Sequence, residues 1–251
     1  MNRVRRGRFG ARVGKAGGMA LLQVLEAWAP NLAKVARDDV RWMAWNTLLA
    51  WLPVALAFAL FRRRTSDHLR TPLWWMGAAL FVLFLPNAPY VVTDLVHLHG
   101  DVVLVDGSWP VITGVLPVYG LFIGSGFVAY YLALRELGLY LERVGLAVWR
   151  GVTIASVHAL CAVGVYLGRH ARLNSWEPVV EPHDTLQRVV LTLSWRWAPL
   201  LVAATFMVTV AGHFVTKAVL EAAWATVLGV LRPRWLPASG AGSGSAGTPD
   251  R

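Results

Sequence analysis

Apolar residues run along this chain in five long stretches almost free of charge, separated by short polar links. The first, Met43 to Phe61, carries no charged side chain. As a helix rising 1.5 Å per residue it reaches about 28 Å, close to the hydrocarbon thickness of a bilayer. Arg62, Arg63 and Arg64 end it. A second run starts near Pro72 and continues to Pro86, then resumes from Ala88 to Val92, broken by Pro86, Asn87 and Pro89. Each proline removes a backbone donor and restricts the residue before it. The pattern therefore predicts a spanning helix that departs from regular geometry around Asn87, where freed carbonyls need partners; Asn87 itself can supply one. Such backbone is tolerated in a membrane only where protein or water satisfies it. The third span lies within Trp109 to Leu134 and contains Pro110, Pro117 and a Gly120-xxx-Gly124 pair. The fourth runs from about Leu146 to Gly168, with Gly164-xxx-Gly168 near its end, and the fifth from about Ala198 to Leu220. Glycines four apart let helices approach closely in lipid, and they also recur by chance in Gly-rich spans.

The ends read differently. Residues 1–18 are Arg- and Gly-rich and predict a disordered basic tail. Glu26 and Pro30 interrupt the nearest apolar stretch after Arg5-Arg6, which argues against a signal peptide. Over 19–37, Leu21, Leu25, Trp28, Leu32 and Val35 form one stripe opposite Gln23, Glu26 and Lys34, as in a helix lying in the membrane interface. The Ser/Gly-rich segment 237–251 predicts a flexible tail. The expected architecture is all-α: a polytopic transmembrane helical bundle of about five spans within residues 38–236, preceded by one interfacial amphipathic helix.

Composition agrees with that pattern. The chain is 56% hydrophobic and only 15% charged, where soluble domains carry about 25% charged residues. The net charge of +10 matches attraction to anionic headgroups better than nucleic-acid binding, because most arginines sit in the N-terminal tail or beside apolar runs. Membrane lipids are the expected partners, with a protein partner or homo-oligomer left open. Many of the thirteen tryptophans fall near predicted span ends, as an aromatic belt does. Cys161, the single cysteine, reads as a small buried hydrophobe.

The links set the orientation. The 62–71 link carries four arginines and the 87–108 link no Lys or Arg. Positive charge favours the cytoplasm, so 62–71 is expected inside, with 87–108 and 169–197 outside. Alternation then places the N-terminus outside, although its first 41 residues hold nine Lys/Arg against three acids. Either the neighbouring signals dominate, or the chain starts at a later methionine such as Met19.

Two segments carry candidate chemistry. Beyond the proline break, Asp94 and His97 stand three apart, on one helical face, with His99 and Asp101 following. An Asp–His pair suits a base and its orienter, or two metal ligands. The second segment, Gly168 to Pro178, offers cations, an amide and a carboxylate, and lies on the same expected face. Together Asn87, Tyr90, Asp94, His97, Arg169, Arg172, Asn174, Trp176 and Glu177 make a candidate outward-facing pocket. Alternatively the arginines pair with Asp94 and Glu177 to close that end, or the first segment is a solvated interfacial turn. His158 and His213, near mid-depth of their spans, suit either a proton relay or neutral rings bonded to nearby carbonyls. P-loop, G-x-S-x-G, H-E-x-x-H and dinucleotide fingerprints are missing, so no cofactor or metal follows from motifs.

The stretch Leu83-Phe84-Leu85-Pro86-Asn87-Ala88-Pro89-Tyr90-Val91-Val92-Thr93-Asp94-Leu95-Val96-His97-Leu98 resembles the signature of a bacterial membrane-protein family known as domain of unknown function 1361. Trp45-Asn46-Thr47-Leu48-Leu49-Ala50-Trp51-Leu52-Pro53 is similar to its first-helix opening, and Tyr166-Leu167-Gly168-Arg169 with Asn174-Ser175-Trp176 to its other signature. An Asp commonly follows that Trp; Glu177 keeps the charge on a longer arm, which speaks against a rigid metal ligand. The resemblance covers roughly 43–220 and implies a multi-pass protein of unassigned activity in the bacterial cell membrane. Three function classes stand: a protein binding or transporting a small molecule or lipid headgroup, a membrane enzyme acting on a lipid at the outer interface, and an accessory subunit of a membrane complex.

Overall fold

The computed structural model describes residues 39–62, 71–104 and 111–231. Among them all regular elements are helical, and five stretches are long and apolar enough to cross a membrane: Asp39–Phe61, Pro72–Val103, Val111–Arg143, Ala147–His170 and Ala198–Val227. This is the all-α bundle of five spans that the hydrophobic pattern predicts. The basic tail at 1–18, the amphipathic segment at 19–37 and the tail at 237–251 lie outside the described residues. The chain falls into two compact units, one ending at Thr216 and the other beginning at Lys217; in the second, Lys217 and Glu221 approach to 4.0 Å one helical turn apart.

Helix α1 is Asp39–Phe61. Helix α2 (Pro72–Phe84) begins with the Thr71 hydroxyl accepting from the Trp74 backbone N–H at 3.3 Å. Pro72 takes the first helical position, where its missing donor costs nothing. After Leu85-Pro86 come α3 (Asn87–Tyr90), a 3₁₀ turn over Val91–Asp94, and α4 (Leu95–Leu104). A π turn over Val111–Val115 opens the next span, where Pro117 cannot donate to the preceding turn.

Helix α5 (Leu116–Arg143) supplies much of the core. Its buried side is a stripe at three- and four-residue spacing: Tyr119, Phe122, Gly126, Tyr130, Ala133, Leu137 and Tyr140. Its exposed side carries Leu116 and Leu121, as expected where the surrounding solvent is lipid. Helix α5 runs past Leu134, where the predicted third span ends. The apolar stripe carries α5 through to Arg143, and a glycine cap stops it. Gly145, at φ 80°, turns the chain, and the Leu146 N–H reaches back to the Leu141 carbonyl at 2.8 Å.

After a 3₁₀ turn at Ala147–Trp149, α6 (Arg150–His170) returns. The 169–197 link, read as a loop, contains two helices: the single turn α7 (Glu177–Val180) and α8 (Pro182–Leu193). Helix α9 is Ala198–Leu231, longer than the predicted fifth span.

The end of the bundle where α1 finishes and α6 starts is closed by ion pairs. Glu136 is buried and meets Arg62 at 3.6 Å and Arg135 at 3.1 Å. Arg150 pairs there with Glu142 at 2.7 Å. Deeper in the bundle, the Tyr130 hydroxyl and His158 Nδ1 are hydrogen-bonded at 2.8 Å, and the His213 ring packs against His158 at 5.2 Å between centroids. Of the two readings offered for His158, the carbonyl partner is replaced by a tyrosine hydroxyl.

Candidate functional site

The site grows out of the proline break. Pro86 and Pro89 cannot donate, so the hydrogen-bond ladder changes step: the Ala88 N–H turns to the Leu85 carbonyl at 3.2 Å. That releases the Phe84 carbonyl, and the Asn87 amide donates to it at 2.8 Å. Asn87 therefore supplies the local partner that the sequence called for. The backbone stays right-handed through Leu85, Pro86 and Tyr90, so the helix tightens without reversing.

Glycines let this segment lie against its neighbours. A Cβ on Gly126 of α5 would sit 2.6 Å from the Ala88 carbonyl oxygen and would collide with a Val91 methyl. On α6, a Cβ on Gly164 would meet the Pro86 ring at 2.6 Å, and one on Gly168 the Tyr90 ring at 3.1 Å. The two GxxxG pairs thus differ. Gly164 and Gly168 receive the broken segment, whereas among the described residues nothing lies within 4 Å of a Cβ at Gly120 or Gly124.

Asn87 also donates to the Ser175 hydroxyl at 2.9 Å, which ties the first candidate segment to the second. Between them opens a cavity of about 870 Å³. Asn87, Tyr90, Asp94 and His97 line it from one side, and Arg169, Arg172, Asn174 and Trp176 from the other. Glu177 is the remaining candidate and is not part of the lining. Its carboxylate accepts from Asn174 at 2.7 Å and from Arg188 at 2.6 Å. The Asn174 hydrogen bond first, and the Arg188 guanidinium after it, hold the Glu177 carboxyl below the usual carboxylate range.

Asp94 is 4% exposed, and Asn46 of α1 donates to it at 2.9 Å. His97 and Arg169 stand within electrostatic reach of the same carboxylate. Among the described residues no hydrogen bond joins Asp94 to His97; the His97 ring lies 5.0 Å from that of Trp42. A base–orienter pair of these two is therefore not formed, and among the described residues no three His, Cys, Asp or Glu side chains converge as metal ligands do. Arg172 holds a backbone φ of 52°, a left-handed conformation that costs a residue with a Cβ roughly 1–2 kcal/mol.

Several site residues were not singled out from the sequence. Asn46 and Trp45 line the cavity from α1; their signal was an amide and an indole inside an otherwise apolar span. Thr185 and Val189 line it from α8. Their helix announces itself in hindsight by Leu186, Val190 and Leu193 on one side of Asp184, Gln187 and Arg188. Beside the cavity, Tyr119 donates to Asp101, and Trp42 to Asp39 at 2.7 Å.

The sequence model of one family, described as protein of unknown function (DUF1361), matches residues 45–211. The chain belongs to that family. No curated protein and no solved structure matches it.

Proposed function

We propose that this DUF1361 member is a ligand-binding protein of the cell membrane, taking a small molecule or a lipid headgroup in the cavity between its second and fourth spans. The observation that carries this reading is the cavity itself. Two segments 88 residues apart are joined through Asn87 and Ser175, and eight of the nine polar and aromatic candidates face one space of about 870 Å³, within the ~300–1,000 Å³ usual for ligand sites. The buried Asp94 needs compensation in a low-dielectric setting. Its hydrogen bond comes from an amide rather than from His97, which favours binding over acid–base chemistry.

The contrast between the arginine-rich 62–71 link and residues 87–108, which hold no Lys or Arg, supports an outward-facing cavity. Unbiased mass spectrometry of the full chain purified in mild detergent tests the binding reading. A stoichiometric small molecule or lipid is expected with the native chain, reduced severalfold with Asp94→Asn. Equal recovery from both would sink it. Orientation is tested separately in a Cys161→Ala background. A cysteine at His183, on α8, is expected to label from outside intact cells, and one at Val148, 87% exposed at the opposite end, is not. The reverse pattern would overturn the topology.

A further inference from the structure

Four of the arginines near the bundle's ends, Arg62, Arg135, Arg150 and Arg188, sit in ion pairs. Arg169 and Arg172, both lining the cavity, have no ion-pair partner among the described residues. Among the described residues, Asp94 is the one carboxylate in the lining. Two guanidiniums against one carboxylate leave a single positive charge, which a monoanion matches. Guanidinium forks suit the oxygens of a phosphate. A further polar group points the same way. Thr185 is 6% exposed and lines the cavity, and its buried hydroxyl has no hydrogen-bond partner among the described residues. Buried hydroxyls are ordinarily paired.

The deeper part of the lining is apolar, and it runs inward. Along α6 the lining extends from Leu160 to Arg169, about 14 Å at 1.5 Å per residue, or half of a hydrocarbon core. Leu49, Val82 and Leu83 share that deeper part. Val82 and Leu160 are 44% and 55% exposed, so the apolar arm opens sideways, toward lipid. Trp45 and Trp176, both exposed, stand at the polar end, where indoles favour headgroup level. A soluble anion would satisfy the arginines and leave the deep arm in contact with water. An acyl chain fills it.

We infer that the cavity binds an anionic phosphodiester amphiphile, its phosphate between Arg169 and Arg172, its chain along Leu49, Val82 and Leu160. A hydroxyl on the headgroup donates to Asp94. This rests on the cavity being a ligand site, and it names the class of ligand.

The test is a titration of the detergent-solubilised full chain, read by native mass spectrometry, with short-chain phosphatidylglycerol, phosphatidylcholine or inorganic phosphate. One phosphatidylglycerol per chain is expected to bind, about tenfold or more tighter than phosphatidylcholine. Arg169→Gln with Arg172→Gln is expected to erase that preference, while the unfolding temperature without added lipid stays near the native value. Leu160→Trp, which narrows the apolar arm, is expected to weaken the lipid and not inorganic phosphate. Inorganic phosphate competing on equal terms would identify a soluble anion and overturn the proposal. So would equal binding of both lipids, or a preference that survives loss of both arginines. A copurifying ligand that lacks phosphate and is lost with Asp94→Asn would remove this inference and leave the ligand site standing. Equal recovery of every copurifying molecule from the native chain and Asp94→Asn would remove the site itself.

Discussion

Glu136 at one end of the bundle and Asp94 toward the other are both buried carboxylates in spanning segments, each 4% exposed. Their surroundings differ. Glu136 lies between two guanidiniums, Arg62 and Arg135. Asp94 receives an amide N–H from Asn46, and the nearby arginines stay out of ion-pair distance while facing the same cavity. A carboxylate in low dielectric is costly unless compensated. Direct ion pairing compensates Glu136 within the chain and closes that end. At Asp94 the charges line a shared space, where a ligand can complete the compensation. The same residue types thus make a clasp in one place and, on the reading proposed above, a recognition surface in the other.

The largest expected effect breaks the clasp. Replacing Arg62 and Arg135 together by alanine leaves Glu136 without either guanidinium. The loss is expected near 3 kcal/mol, the low end for broken buried pairs, because the arginine side chains are 61% and 48% exposed. Asp94→Asn is expected to cost under about 1 kcal/mol, since an amide can still bond the Asn46 side chain. Thermal unfolding in one mild detergent compares them. A greater loss for Asp94→Asn would reverse the contrast between the two ends.

The next effect concerns the wall of the cavity end. Gly126→Ala would push a methyl toward the Ala88 carbonyl oxygen, at 2.6 Å, and backbone cannot yield as a flexible side chain can. The expected cost is about 1–3 kcal/mol, with reduced ligand recovery because Asn87 moves with its neighbours. Gly124→Ala, with nothing within 4 Å among the described residues, is expected to stay within about 0.5 kcal/mol of native stability. Equal behaviour of the two alanines would mean that the break is not held by α5.

The hydrophobic pattern carried most of the fold. Nearly uncharged runs long enough to cross a bilayer set five spans, and Pro86 and Pro89 located the departure from regular helix because a missing donor is a local property. The span ends were less legible. Arg135, Glu136 and Arg143 looked like a polar link, and only the pairing of Glu136 with Arg62, 74 positions away, shows how the helix accommodates them. In the site, the two polar segments stood out because charged and amide groups are rare next to spans. Asn46 and Thr185 did not, since their meaning depends on which helices meet. The role of Glu177 was obscured by Arg188, which comes within reach only when α8 forms. Gly120-xxx-Gly124 and Gly164-xxx-Gly168 have the same spacing, and packing alone separates them.

The smallest expected effect is a pH dependence at the rim of the cavity. Glu177 accepts from Asn174 and Arg188, and Arg188 belongs to α8, which brings Thr185 and Val189 to the lining. The folded chain holds the Glu177 carboxyl below its ordinary range, whereas an unfolded Glu titrates near 4.3. A depressed acid contributes fully above the unfolded value, and the contribution fades as pH falls through the folded value. The clasp should therefore be intact at pH 7 and at pH 5, and weaken below about pH 4. With Arg188 39% exposed, solvent screening keeps the pair to about 1 kcal/mol or less. The native chain is expected to lose slightly more unfolding temperature between pH 5 and pH 3 than Glu177→Gln, which cannot titrate there. High salt should narrow the difference by screening Arg188 from Glu177. If Glu177→Gln loses as much between pH 5 and pH 3 as the native chain, another carboxyl governs the acid limb, and the hold of Glu177 on α8 is not what keeps Thr185 at the cavity.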